Sequence, residues 1–326
     1  MNAPQRTAAA ASEAAAGRMC PFDYRYRPAV FARPPDFEAG TLYVVGGLYG
    51  NAAALDEIGR MAAAERTPVT LVFNGDFHWF DADAAWFAGM ERRIAPHRAL
   101  RGNVETEIAR PGDIGAGCGC AYPATVSDET VRWSNEIIAA LRAVARARAG
   151  VAERLAALPM HLVARVGALR IGIVHGDAWS LAGWRFAHDM LDDPARAQDV
   201  TGLRAESGID MFASTHTCLA ALRRLETPDG PLTIVNNGAA GMPNFSGQTA
   251  GLITRIATTP SPHRPLYGMA QADVFCDALP VRYDNAAFLA RFLARWPQGS
   301  PAHASYFARI GNGPAYTIAQ ARGTAR

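Results

Sequence analysis

An α/β fold follows from two features of this chain: the order of its apolar runs and the side chains that end them. The continuous β-prone run Thr41–Val45 precedes a helical pattern from 52 to about 65, with Leu55, Ile58 and Met61 spaced for one buried face. A second β-prone run follows at 69–73. Strand, helix, strand at that spacing is a βαβ unit, so parallel pairing and a right-handed crossover are expected. The second feature is that apolar runs stop on polar side chains. One ends in Asn74-Gly75-Asp76, another in Gly102-Asn103, a third in His175-Gly176-Asp177 and a fourth in Ser214-Thr215-His216. In open α/β sheets, chemistry gathers at the carboxyl ends of strands.

In chain order, residues 1–18 are small and polar and read as a frayed tail. Residues 19–40, rich in Pro and aromatics, read as a surface-wrapping segment without regular structure. Together these 40 residues precede a domain at 41–297. Within it, 83–93 is a helix with Trp86, Phe87 and Met90 on one side, and 98–101 is a short strand. Two helical excursions are expected, at about 105–158 and 178–206. The first contains an irregular segment, 111–123, with Cys118 and Cys120 among glycines, and a long helix that Ser127 caps, running to about Arg148. Residues 160–166 and 169–174 form a hairpin turning at Gly167-Ala168. Further strands lie at 211–213, 232–235, 252–256 and 275–281, a helix at 288–296, and a Gly/Pro-punctuated tail at 298–326.

With 49% hydrophobic and 19% charged residues the chain has globular composition, and its 326 residues allow one large α/β domain or two smaller ones. Thirty-two basic against 30 acidic residues leave a net charge of +2, which makes no electrostatic case for nucleic acid or a membrane surface. The five cysteines are odd in number and sparse, which argues against a disulfide framework. No apolar run approaches the ~20 residues of a membrane span, and the N-terminus lacks a signal pattern. The expected location is therefore cytoplasmic. Oligomeric state is left open.

Asp76, Asn103, His175 and His216, one at each of four strand ends, mix hard oxygen and borderline nitrogen donors. Such a set suits one divalent metal, with Mn, Zn, Fe and Mg all admissible. The order Gly75-Asp76, Gly102-Asn103-x-Glu105, His175-Gly176-Asp177, Thr215-His216-Thr217 and Asn236-Asn237-Gly238-Ala239-Ala240-Gly241 resembles the calcineurin-like metallophosphoesterase superfamily, over about residues 41–284. The resemblance implies a four-layer α/β (α+β) fold: a β-sandwich of two mixed sheets flanked by helices, with metals at the sheet edge. It also implies hydrolysis of phosphomonoesters, diesters or pyrophosphates.

The departures from that pattern divide by metal. One metal of the family takes the Asp and His of a first Asp-x-His motif, a bridging Asp and a final His. The other takes the bridging Asp, the Asn, the middle His and the first His of the last pair. Here Gly47, Tyr49 and Cys218 stand where the first metal's private ligands would be, while Asp76, Asn103, His175 and His216 retain the second set. Val104 replaces the His that serves the family as proton donor, a group typically worth ~10²–10⁴-fold in rate. The resemblance thus implies one retained divalent ion and a phosphoester hydrolase whose nucleophile is water on that metal. Its substrate would be a small phosphorylated metabolite or nucleotide. One alternative is a non-catalytic relative with a structural or ligand-sensing metal; another is a thiol redox protein using Cys118 and Cys120.

Several residues keep two readings. His78, two past Asp76, either replaces the absent acid or adds a fifth ligand, or packs among Trp79 and Phe80. The Tyr49 phenol either hydrogen-bonds a substrate phosphate or fills the vacated volume. Cys118 and Cys120 with Cys218 either rebuild a soft thiolate site or serve as small loop and core residues. Glu105 and Asp177, each just past a ligand, are placed to orient ligands or loops. Trp179 and Trp184 lie beyond His175 on a segment expected to be a helix roofing the cleft.

Overall fold

The computed structural model describes residues 16–112 and 114–323, so most of the frayed tail expected at 1–18 lies outside the described residues. In chain order the strands are β1 (Phe37–Glu38), β2 (Thr41–Val45), β3 (Val69–Asn74), β4 (Arg98–Leu100), β5 (His161–Val166), β6 (Leu169–Val174), β7 (Met211–Ser214), β8 (Ala221–Thr227), β9 (Gly230–Asn236), β10 (Gly251–Ala257), β11 (Tyr267–Gln271) and β12 (Val274–Val281). They form two six-stranded sheets, ordered β1-β5-β6-β7-β9-β8 and β11-β12-β10-β2-β3-β4. Both are mixed: β6, β7 and β9 run parallel, as do β2, β3 and β4, while β5, β8, β10, β11 and β12 enter antiparallel pairs.

The alternation of β2 shows how the layers arise. Successive strand side chains point to opposite faces. Leu42 and Val44 face the other sheet and pack with Ile171, Ile173, Met211 and Ala213. Tyr43 and Val45 face outward and pack with Ile58, Phe87, Ile137, Leu141 and Phe292, which belong to the helices Ala52–Ala63, Ala84–Ile94, Asp128–Arg146 and Asn285–Arg295. On the other sheet, Val163, Val174, Phe212 and Ile234 turn outward under Phe31, Phe186, Leu191 and Leu203. The result is helices, sheet, sheet, helices, with the buried apolar faces supplying the main stabilisation.

The βαβ unit and the hairpin form as expected: β2 and β3 pair in parallel from Thr41↔Val69 to Val45↔Phe73, and β5 and β6 pair antiparallel from His161↔Val174 to Val166↔Leu169. Ser127 caps the long helix by accepting from Thr130 N at 3.2 Å. Other segments differ from expectation. Residues 19–40 hold two 3₁₀ turns, Phe22–Tyr24 and Pro28–Phe31, and the edge strand β1. A short helix, Asn103–Ala109, begins at a candidate ligand. Residues 178–187 are a loop, and the helical part of that excursion begins only at His188–Asp192. Strands β8 and β11, unrecognised in the sequence, lie at sheet edges with exposed positions, so their residues lack an apolar run. The segment read as a tail carries the helices Pro301–Asn312 and Ile318–Arg322; Ser300 caps the first and Pro301 sits at its first turn.

Candidate metal centre

Asp76 is carried past the end of β3 by two residues in the left-handed region, Gly75 at φ +77° and Asp76 itself at φ +52°. A side chain at Gly75 would run into the Gly102 backbone and the His175 ring, so the turn requires glycine. The Asp76 conformation is held from behind by Glu105. This wholly buried carboxylate accepts hydrogen bonds from the amides of Asp76 (2.7 Å), Gly102 (2.9 Å), Phe77 (3.1 Å) and His78 (3.4 Å). Burial and the nearby Asp76 push Glu105 up to about 7, against the pull of those donors. Asp76 Oδ1 in turn accepts from Val104 N at 3.1 Å. Glu105 therefore fastens the loop after β3 to the loop after β4, and touches neither imidazole.

The two histidines arrive from the other sheet. His175 follows β6, and its Nδ1–H donates to the Asn74 carbonyl at 2.9 Å. His216 follows β7, and its Nε2–H donates to the Cys120 carbonyl at 2.9 Å. The amides of Thr215 and His216 both donate to the His175 carbonyl, at 2.9 and 2.8 Å, which locks the two loops together. Each imidazole thus presents its other nitrogen to the cluster, the arrangement by which carbonyl partners orient metal-binding histidines. Around His175 Nε2 stand Asn103 Oδ1 at 3.0 Å, His216 Nδ1 at 3.1 Å and Asp76 Oδ2 at 3.4 Å. The Asn103 orientation is set by its amide, which donates to the Cys118 carbonyl at 3.0 Å.

These distances test whether a cation fits. One proton on His175 Nε2 satisfies only one of three acceptors facing it; a divalent cation at their common focus would satisfy all four donor atoms. The ligand atoms of Asp76, His175 and His216 lie within 4.8 Å of one another, and all three residues are buried. Burial lowers the His175 pKa, but the Asp76 carboxylate outweighs it and the net shift is upward. Burial and neighbouring His175 push His216 down to about 4, leaving it neutral at pH 7.

Gly47, Tyr49 and Cys218 also meet, next to this cluster. The Tyr49 ring lies over Gly47 so closely that a Cβ there would overlap its Cζ and hydroxyl. The hydroxyl sits 2.8 Å from Cys218 Sγ. A phenol and a thiol thus fill the volume beside Asp76, and Tyr49 also lines the cavity above it.

Other candidates fall elsewhere. His78 is buried with both ring nitrogens engaged, Nδ1 by Asp81 at 2.6 Å and Nε2 by Glu91 at 3.0 Å, and its ring stacks on Phe87 at 3.8 Å. It lies outside the ligand cluster, which corrects both active readings of this residue. Among the described residues no cysteine joins Asp76, His175 and His216. Cys118 and Cys120 contribute mainly through their backbone: the Cys118 carbonyl orients Asn103, whose amide also reaches Cys120 Sγ at 3.5 Å, and the Cys120 carbonyl orients His216 and accepts from Trp184 Nε1 at 3.0 Å. Both thiols are free and buried, and burial raises that of Cys120, which disfavours the reactive thiolate. Asp177 organises its own loop, accepting from the amides of Trp179 (2.8 Å), Ser180 (3.0 Å) and Arg185 (3.1 Å). Trp184 does roof the cleft, from a loop rather than a helix, while Trp179 packs against Phe186.

Above the cluster is a cavity of about 150 Å³. Asp76, Asn103 and His216 form its floor; Trp79, Tyr122, Trp184 and Tyr306 supply aromatic walls, and Arg309 lines it from the helix Pro301–Asn312. Tyr306 and Arg309 escape a reading of the sequence that treats 298–326 as a tail. The Ser300-Pro301 start signal, followed by apolar residues at Ala302, Tyr306 and Ile310, is the pattern that could have found them.

No family model matches the chain, and no curated protein does. Among solved structures the chain is similar to a hypothetical protein from Pyrococcus horikoshii OT3, at 16% identity and TM-score 0.55, covering 85% of this chain and 99% of that one. It is also similar to a metallophosphoesterase from Sphaerobacter thermophilus, at 15% identity and TM-score 0.48, covering 84% of this chain and 100% of that one. At these identities the likeness is one of fold. The fold is the α/β sandwich of two mixed sheets that the strand-end motifs imply.

Proposed function

We propose that this chain, a metallophosphoesterase-like protein by its fold and strand-end motifs, binds one divalent cation and hydrolyses a small phosphoester. The observation that carries the reading is the meeting of four donor atoms, two from each sheet, around His175 Nε2. Asp76, Asn103, His175 and His216 would hold the ion. When bound, a divalent cation supplies Lewis acidity toward a phosphoryl oxygen and lowers the pKa of water. The protein's own part is positioning. Glu105 and the Asn74, Cys118 and Cys120 carbonyls fix the ligand side chains, and the aromatic walls restrict water around a bound ester. Val104, buried beside Asp76, has no proton to give. Without an imidazole at that position, esters of acidic alcohols such as phenols, whose leaving groups need little protonation, are favoured.

The test is calorimetric titration of Mn²⁺ or Zn²⁺ into the wild-type chain and His175→Ala, together with turnover of an aryl phosphate. One ion per chain is expected, with both binding and turnover lost in the variant. Stoichiometric uptake of two ions would overturn the single-site reading. The Tyr49–Cys218 filling and Val104 favour a second reading, a non-catalytic protein with a structural or ligand-sensing ion. One tightly bound ion without turnover across a phosphoester panel would support that reading instead.

A further inference from the structure

We infer that Arg309 is the anion-recognition residue of this site, the second positive charge beside the candidate cation, and that it makes the cavity select a phosphate dianion, hence a monoester over a diester. The inference rests on the single-cation reading above. Arg309 lies on the third turn of the helix Pro301–Asn312, with Tyr306 one turn back on the same face, and both line the cavity over Asp76 and His216. Its guanidinium is anchored without being neutralised. Nη2 donates to the Cys218 carbonyl at 2.7 Å and Nε to the Pro243 carbonyl at 3.3 Å. Among the described residues no carboxylate pairs with it and Nη1 makes no hydrogen bond. By contrast, the buried Arg255 is matched by Glu65 and Asp277, and Arg110 by Asp23 and Glu107.

A fixed guanidinium whose held atoms meet only backbone carbonyls keeps both its charge and its free N–H donors for a ligand. It is tied to Cys218, so it stands beside the volume that Tyr49 and Cys218 fill. Glu105 lies outside the cavity lining, held on four backbone amides, so the charges that face the cavity sum simply: one Asp76 carboxylate, one bound dication and Arg309 leave two positive charges, with His216 and Asn103 neutral. A phosphomonoester dianion matches that balance, and a diester monoanion leaves half of it unmet.

The experiment uses the full chain loaded with Mn²⁺ and measures binding of inorganic phosphate and of dimethyl phosphate by calorimetry. Wild type, Arg309→Gln and Arg309→Lys are compared after their melting temperatures show them folded. Wild type is expected to prefer inorganic phosphate. Arg309→Gln is expected to lose roughly 10- to 100-fold of that affinity, as loss of a charged hydrogen bond implies, with little change toward dimethyl phosphate. Arg309→Lys should fall between, and Mn²⁺ affinity should be the same in all three. Unchanged phosphate affinity in Arg309→Gln, with Mn²⁺ still bound, overturns the inference. If wild type takes up no Mn²⁺, the metal reading fails, and the same phosphate comparison on the metal-free chain decides the role of Arg309.

Discussion

At Gly47 one missing carbon decides what can stand beside Asp76. The Tyr49 ring occupies the space in which a Gly47 side chain would begin, and its hydroxyl closes onto Cys218. Gly47, Tyr49 and Cys218 are therefore one packing unit: the phenol lies where a side chain on Gly47 would begin, and the thiol receives its hydroxyl. Gly47→Ala is expected to cost about 1–3 kcal/mol by overpacking, and most of that cost should vanish when Tyr49→Ala opens the space. A double-mutant cycle read by denaturant melts measures the coupling; simple additivity of the two costs would show that the ring and Gly47 do not compete. The sequence marks these three residues together only through the resemblance. That Cys218 meets Tyr49 was not legible there, because the two come from loops after β2 and β7, on different sheets.

The segment from Asp76 through the helix Ala84–Ile94 shows how an element can absorb a residue that sequence spacing offers to the site. His78 is two positions past Asp76, yet Asp81 on the same loop and Glu91 on the helix take both of its nitrogens, and Arg154 engages the other oxygen of Glu91. Burial opposes protonation of His78, but Asp81 and Glu91 outweigh it and raise its pKa to about 10. The unfolded value is ~6.5. A raised folded-state pKa means the stabilisation is fully present below about 6.5 and is lost as pH rises through 10. The difference in melting temperature between wild type and His78→Gln should therefore shrink steadily over that window. A difference independent of pH would mean that the ring is held neutral. Local spacing made His78 look available; the partner that settles it, Glu91, lies 13 residues away on a helix face.

Across the whole molecule, the candidate ligands divide evenly between the sheets: Asp76 and Asn103 follow β3 and β4, while His175 and His216 follow β6 and β7. A bound ion would bridge the two halves of the sandwich, so binding should raise global stability. At a free ion concentration 100 times its dissociation constant the linkage is about 2.7 kcal/mol. Calorimetric melting with Mn²⁺ should show a rise that a chelator reverses, and both Asp76→Asn and His216→Ala should abolish it. A rise that survives either change would place the ion elsewhere. Among the described residues no helix is long and apolar enough to cross a membrane.

The residues alone determined the strand-end donors, the βαβ unit and the hairpin, because each is a local pattern of polarity or a short motif. Burial and contact across the fold decided the rest. They turned Glu105 into the clasp of two loops, gave the cysteine loop its part chiefly through carbonyls, and drew His78 into an ion cluster. They also folded an apparent tail into the helix that brings Arg309 to the cavity. Those outcomes depend on distances between segments remote in the chain, and no periodicity along one segment encodes such a distance.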